Sequence, residues 1–242
     1  AGLLLQYFAW NSFFALDVAL AALGLAGTLA VVPDSNEGHV ALDVVGGLLS
    51  LVAVGGIVFG IIEGPERGWS DALTLAPIAV GLLAGAAFVT WELRQEHPLL
   101  DPRLFAVRGF TAGSLTITVQ FFCSFGMFFV GLQYLQFVAG YSPLKAAAAC
   151  LPLPLVMLPT ARTAPHVAAR IGFRRVVPVG LLFSATGLFV LSRLALDSPY
   201  AQFAIGLGIF AFGMGLAGTP STTAVTASLP PSKQGVASAV ND

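Results

Sequence analysis

Residues 44–62 and 72–91 form two uninterrupted windows without a charged side chain. At about 1.5 Å of rise per residue, either window as a helix crosses the roughly 30 Å hydrocarbon core of a bilayer. Composition extends this to the whole chain. Of 242 residues 57% are hydrophobic and 10% are Asp, Glu, Lys or Arg, against about 25% charged in a soluble domain. Mean hydropathy is +0.87. So few charges cannot cover a water-facing surface, and the expectation is an all-α polytopic membrane protein.

Other apolar runs are too long for one helix and divide at turn signals. The run 109–144 breaks at Gly140-Tyr141-Ser142-Pro143, and the N-terminal run enters its helix near Trp10-Asn11-Ser12. Seven spans result, near 12–32, 43–62, 72–91, 110–138, 143–161, 176–196 and 200–222. Cationic loop residues orient them. Arg94, Arg103, Arg108, Arg162, Arg170, Arg174, Arg175 and Lys233 fall in one set of alternate loops, and Arg67, Lys145 and Arg193 in the other. Eight against three places 92–109, 162–175 and 223–242 in the cytoplasm. The first span then runs from outside to inside, which suggests a fragment of a longer protein.

The balance of charge excludes other classes. Net charge is −1 with no block of like charges, so nucleic acid is not an expected partner. Cys123 and Cys150 both sit in apolar runs and read as small buried hydrophobes rather than a disulfide. There is no H-E-x-x-H and no G-x-S-x-G, and His39, His97 and His166 do not cluster at ligand spacing, so neither an enzyme nor a metal site is expected. Gly206-x-Gly208-x-x-Ala211 matches a dinucleotide fingerprint by letters but lies inside an apolar span, where the required strand and exposed helix start are missing.

Small residues and polar residues carry the remaining signal. Gly56, Gly60 and Gly64 recur every four residues, as do Gly81 and Gly85. Such spacing lets membrane helices approach closely and predicts a tight hairpin of spans two and three. Gly213 and Gly215 read as packing positions and Pro220 as a bend. Asp17 lies in the first span, either as a protonatable carboxylate or as an interfacial group reaching headgroup water. Gln120, Gln133, Tyr134 and Gln136 lie on span four. Gln133 and Gln136, three apart, predict one shared face that lines an aqueous cavity or bonds a neighbouring helix.

Several segments together resemble one family. Gln133-Tyr134-Leu135-Gln136, Gly140-Tyr141-Ser142-Pro143-Leu144 and Leu151-Pro152 are similar to the middle of the fourteen-span drug:proton antiporters of the major facilitator superfamily. Glu63-x-Pro65-Glu66-Arg67-Gly68-Trp69 and His97-Pro98-Leu99-Leu100-Asp101 resemble the loops around that branch's central helix pair. Ala169-Arg170-Ile171-Gly172-Phe173-Arg174-Arg175 resembles the degenerate cytoplasmic motif of its C-terminal half. Gly213-Met214-Gly215-Leu216 and Gly235-Val236-x-Ser238-Ala239-Val240 resemble its later signature. There are departures. Asp17 and Ala19 stand where the branch usually has Asn and Pro, His166 where many relatives carry Arg, and no acidic residue lies between Lys145 and Arg162.

The resemblance implies a partial major facilitator fold, with the seven spans as helices six to twelve of fourteen. Residues 1–32 would end the N-terminal six-helix bundle, 43–91 would be the inserted pair, 92–109 a linker, and 110–242 the beginning of the C-terminal bundle. It also implies export of small hydrophobic or amphipathic compounds from the cell, driven by the proton gradient without a bound cofactor. The full-length protein would be a monomer in the plasma membrane, its partners the lipid bilayer and the small-molecule substrate. Gln120, Gln133, Tyr134, Gln136 and Asp17 would be the cavity contacts. Arg170, Gly172, Arg174 and Arg175 would form a conformational loop. Two other readings stand beside it: export of an endogenous lipid or metabolite, and a non-transporting receptor or scaffold.

Overall fold

The computed structural model describes residues 8–9, 11–31, 43–95 and 98–229, and among them there are helices and no strands. In chain order these are α1 (Ser12–Val31), α2 (Val44–Arg67), α3 (Ala72–Glu92), α4 (Arg108–Gln133), α5 (Pro143–Ala149), α6 (Pro152–Ile171), α7 (Phe173–Leu191) and α8 (Tyr200–Ala227). A 3-10 turn at Pro102–Ala106 precedes α4, and a π turn at Tyr134–Val138 extends it. Joining α4 with its π turn, and α5 with α6, leaves seven helices long and apolar enough to cross a membrane.

The ends of the last three spans differ from those expected. The fifth span continues past 161 to Ile171, the sixth covers 173–191, and the seventh runs to Ala227. Arg162 and His166 therefore lie within α6, and Arg193 lies beyond α7. A charge ends the apolar pattern without ending the helix, because a long cationic side chain near a helix end reaches the interface. Conversely, the fifth span is divided at Cys150-Leu151, just before the helix restarts on Pro152. His39, His97 and the segment 230–242 lie outside the described residues.

Two packed units are built on close backbone approach. In the α2–α3 pair, Asp43 caps α2 by accepting from Gly46 N at 2.8 Å, and Asp71 caps α3 by accepting from Leu73 N at 2.8 Å; such caps contribute about 0.5–2 kcal/mol each. Gly56 packs where a Cβ would lie 2.6 Å from Pro77 O, and Gly81 where one would lie 2.7 Å from Ala53 O. At Gly60 the obstruction is Ile78 and the Thr74 carbonyl, and at Gly64 it is the Trp69 ring. Small residues replace the hydrophobic drive that lipid removes.

In the second unit α8 is the hub, packed on α4, α6 and α7. Twelve of its 28 residues are buried. Gly180 and Gly187 of α7 meet the backbone of α8, Gly215 of α8 meets Met157 O and Ala161 N of α6, and Gly113 of α4 meets Ser221 O of α8. The outer face of α4 carries Phe122, Phe125 and Phe129 at 70% exposure or more. On a soluble protein such a row is a liability; against acyl chains it is ordinary lipid contact. No described residue of α1 is buried.

Candidate functional site

Gln120 is the one amide among the buried polar side chains of the second unit, the others being serines and threonines. It sits on the α8-facing side of α4 and is 4% exposed. Its Nε2 donates to Met214 O of α8 at 3.5 Å, a long bond, and its Oε1 accepts from no described residue. The amide finds room because Gly218 has no side chain: a Cβ there would lie 3.3 Å from Oε1. Beside it a cavity of about 380 Å³ opens between α4, α6 and α8. Its walls are Ile117 and Phe121 of α4, Met157 and Ala161 of α6, and Met214, Gly215, Gly218, Thr219, Thr222 and Thr223 of α8.

Helical periodicity explains this wall. Gly215, Gly218, Thr219 and Thr222 recur at three- and four-residue steps, so they share one face of α8. Thr223 donates its hydroxyl back to Thr219 O at 3.0 Å. The hydroxyls of Thr219 and Thr222 donate to no described residue and remain available to a ligand. No lining side chain is charged. The cavity therefore offers an amide, two hydroxyls and thioether and aromatic surface, the chemistry of a site for neutral or amphipathic molecules.

The other expected contacts lie elsewhere. Thirteen residues separate Gln120 from Gln133, about three and a half turns, which carries Gln133 to the far side of α4. Gln133 is exposed and Gln136 half-buried, and neither lines this cavity. The π turn that begins at Tyr134, with Ala139 N donating to Tyr134 O at 2.9 Å, also replaces the α-helical step that would have set Gln133 and Gln136 on one face. Tyr134 belongs to a second cavity, about 520 Å³, between α4, α7 and α8. Its hydroxyl is already spent on Ala195 O at 2.9 Å, and its ring stacks on Phe203. Asp17 is exposed on α1 and meets none of these residues. Thr219 and Thr222 lie inside the expected last span but are not among its expected contacts; their three- and four-residue spacing from Gly215 and Gly218 is the signal that points to them.

Arg170, Gly172, Arg174 and Arg175 form a joint rather than a loop. Arg170 lies in the last turn of α6, Gly172 is the single residue between helices, and Arg174 and Arg175 lie in the first turn of α7. Gly172 has φ 87° and ψ 144°, a region essentially confined to glycine. None of the three arginines is ion-paired; the one salt bridge among the described residues is Arg67 with Glu63. Gly172→Ala is expected to destabilise the full-length protein by about 1–3 kcal/mol, read as a lower Tm of purified protein. A Tm equal to that of the parent would show that the joint tolerates a side chain.

Cys123 and Cys150 are free thiols, and no group of three or more His, Cys, Asp or Glu among the described residues can hold a metal ion.

Comparison with known proteins extends the geometry. A family model described as Major Facilitator Superfamily matches residues 1–242. Over 240 residues, 99% of this chain and 44% of the relative, the sequence is 33% identical to "Multidrug resistance protein Stp" of Mycobacterium tuberculosis. It is 30% identical to "Multidrug efflux pump LfrA" of Mycolicibacterium smegmatis, over all of this chain and 48% of the relative. It is 28% identical to "Methylenomycin A resistance protein" of Streptomyces coelicolor, over 99% of this chain and 50% of the relative. The chain thus spans about half the length of the curated relatives it matches. Seven apolar helices and a family model that matches from end to end agree: the chain is an integral, multi-pass plasma-membrane protein and belongs to the Major Facilitator Superfamily.

Proposed function

We propose that the full-length protein exports small amphipathic compounds by exchange for protons, and that this chain supplies one wall of the substrate path. The observation that carries the reading is the 33% identity, across 99% of the chain, to a relative named for multidrug resistance. The cavity beside Gln120 supports it: three helices border a space with hydrogen-bonding groups and no charge. The uncharged lining favours neutral or weakly polar substrates over cations. In the orientation given by the cationic loops, Gln120 and the threonines lie toward the cytoplasmic ends of α4 and α8, so substrate enters from the cytoplasm.

Residues 1–32 then complete the N-terminal bundle, 43–91 are the inserted pair, and the α6–α7 joint takes part in the rocking of the two bundles. No chemistry is done on the substrate, and no cofactor is required beyond the proton gradient. The test uses inside-out vesicles that contain the full-length protein. With an acidic interior, a fluorescent amphiphile is expected to accumulate, and a protonophore is expected to abolish that accumulation. Accumulation that survives the protonophore would overturn proton exchange, and none under any gradient would overturn export.

A further inference from the structure

At the end of the α2–α3 pair, away from the cavity, two carboxyl groups face each other. Asp43, the cap of α2, accepts from Gly46 N and from Trp91 Nε1, the latter at 3.1 Å to Oδ1 and 3.0 Å to Oδ2. Glu92, the last residue of α3, is 1% exposed. Its Oε2 accepts from Leu100 N at 3.2 Å, while its Oε1 is buried with no partner. A Cβ on Gly46 would lie 2.5 Å from Asp43 Oδ2 and 2.5 Å from Glu92 Oε1, so the two oxygens are at most twice that distance apart.

Two ionised carboxylates do not sit this way without a cation between them. Among the described residues no cation serves that purpose. Arg103 comes to this junction from the 3-10 turn, but its Nη2 donates to Leu93 O at 3.0 Å. The charged group that acts on Glu92 is Asp43. A single proton resolves the geometry. It gives Glu92 Oε1 a hydrogen to donate to Asp43, leaves Oε2 to accept from Leu100 N, and leaves one negative charge spread over a pair that Trp91 and Gly46 already solvate.

We propose that Asp43 and Glu92 share one proton, and that this proton clasps the end of the α2–α3 pair to the segment leading into α4. Three pieces of chain meet there: the start of α2, the end of α3 and residues 98–107. Loss of the proton to water leaves two adjacent carboxylates. Glu92 then turns away, and the Leu100 amide loses its acceptor. The clasp is closed while the proton is held and opens as pH rises. Because the segment 98–107 runs directly into the helix that carries Gln120, the clasp gives the cavity helix a proton-dependent anchor. This holds whether or not the protein exports amphiphiles, since it rests on the α2–α3 pair and residues 98–107 and not on the cavity.

The full-length protein in lipid tests it by infrared difference spectroscopy and by hydrogen exchange. At neutral pH the parent is expected to show a carboxylic-acid carbonyl stretch that E92Q lacks and that disappears on alkalisation. E92Q retains a donor toward Asp43 and an acceptor for Leu100. Exchange in 98–107 should therefore match the parent at pH 6 and be about tenfold slower than the parent at pH 9. D43N, with an amide cap and no like charge, should move the loss of the band to lower pH by about one unit or more. A parent spectrum without that band at neutral pH, including one in which both groups are ionised around a bound cation, overturns the proposal. So does equal exchange of parent and E92Q at pH 9, or an unmoved transition in D43N.

Discussion

Gly213→Ala in the full-length protein is expected to lower the amount of folded transporter about tenfold, while Gly208→Ala, one and a half turns away on α8, leaves it within twofold. The two substitutions add the same methyl group to the same helix and gain the same intrinsic propensity. They differ in what the methyl meets. At Gly213 a Cβ runs into Ser184 N and Gly180 O, both backbone atoms of α7, and into the Ser184 hydroxyl. At Gly208 the nearest atom is the Val156 side chain at 3.9 Å, ordinary contact. Backbone cannot swing aside as a side chain can, so α7 and α8 must separate. Separation also strips the contacts at Gly180, where a Cβ would meet Gly213 O at 2.9 Å, and at Gly187, where one would meet Gly206 O at 2.7 Å. Overpacking costs about 1–3 kcal/mol, and about 1.4 kcal/mol is a factor of ten in an equilibrium. Size-exclusion profiles of the two fluorescently tagged variants give the comparison. Equal profiles would show that the α7–α8 contact is softer than its geometry.

The same pair of glycines shows how far a sequence of this kind can be read. Hydrophobicity located all seven helices, because charge-free length is a coarse property that survives any arrangement of neighbours. Four-residue spacing identified the Gly56–Gly60 face, since that contact is made within one hairpin and its period is visible locally. The five glycines of α8 were harder. Gly206, Gly208, Gly213, Gly215 and Gly218 look alike in the sequence, yet they face different things: Leu191, open space beside Val156, the α7 backbone, the α6 backbone and the Gln120 amide. Which partner each meets depends on how three other helices pack around α8. The clasp at Asp43 and Glu92 was illegible for the same reason: forty-eight residues separate Asp43 from Trp91, and only the hairpin brings them together.

Local periodicity also misleads where the backbone leaves it. Three residues apart on an α-helix means neighbouring positions, and this made Gln133 and Gln136 a pair. A π turn beginning at Tyr134 removes the premise. Nothing in Tyr134-Leu135-Gln136-Phe137-Val138 announces such a turn; it closes the helix by an i+5 bond just before Gly140, whose φ of 67° begins the reversal into α5. The arginines at the α6–α7 joint show the opposite case. A run of cations around one glycine reads as a loop until Gly172 is seen to be the whole connection.

Gln120→Leu is therefore the substitution expected to separate the amides by function. Leucine nearly fills the volume of glutamine, and the protein loses only the 3.5 Å bond to Met214 O, so the amount of transporter in the membrane should stay within twofold. What disappears is the amide that faces Thr219 and Thr222 across the cavity. A substrate group that paired with it is left desolvated without a partner, a penalty of about 1–3 kcal/mol, which is roughly tenfold or more in transport efficiency. The double variant Gln133→Ala/Gln136→Ala should change efficiency by less than about twofold, because neither side chain borders the cavity. Flux in vesicles with two probes sharpens the contrast. A hydrogen-bonding amphiphile should lose kcat/KM in Gln120→Leu, while an apolar analogue of the same size should lose little. If both probes fall equally, Gln120 supports the helix packing and not the substrate; if neither falls, the path through the protein lies away from Gln120, and the second cavity beside Tyr134 becomes the place to look.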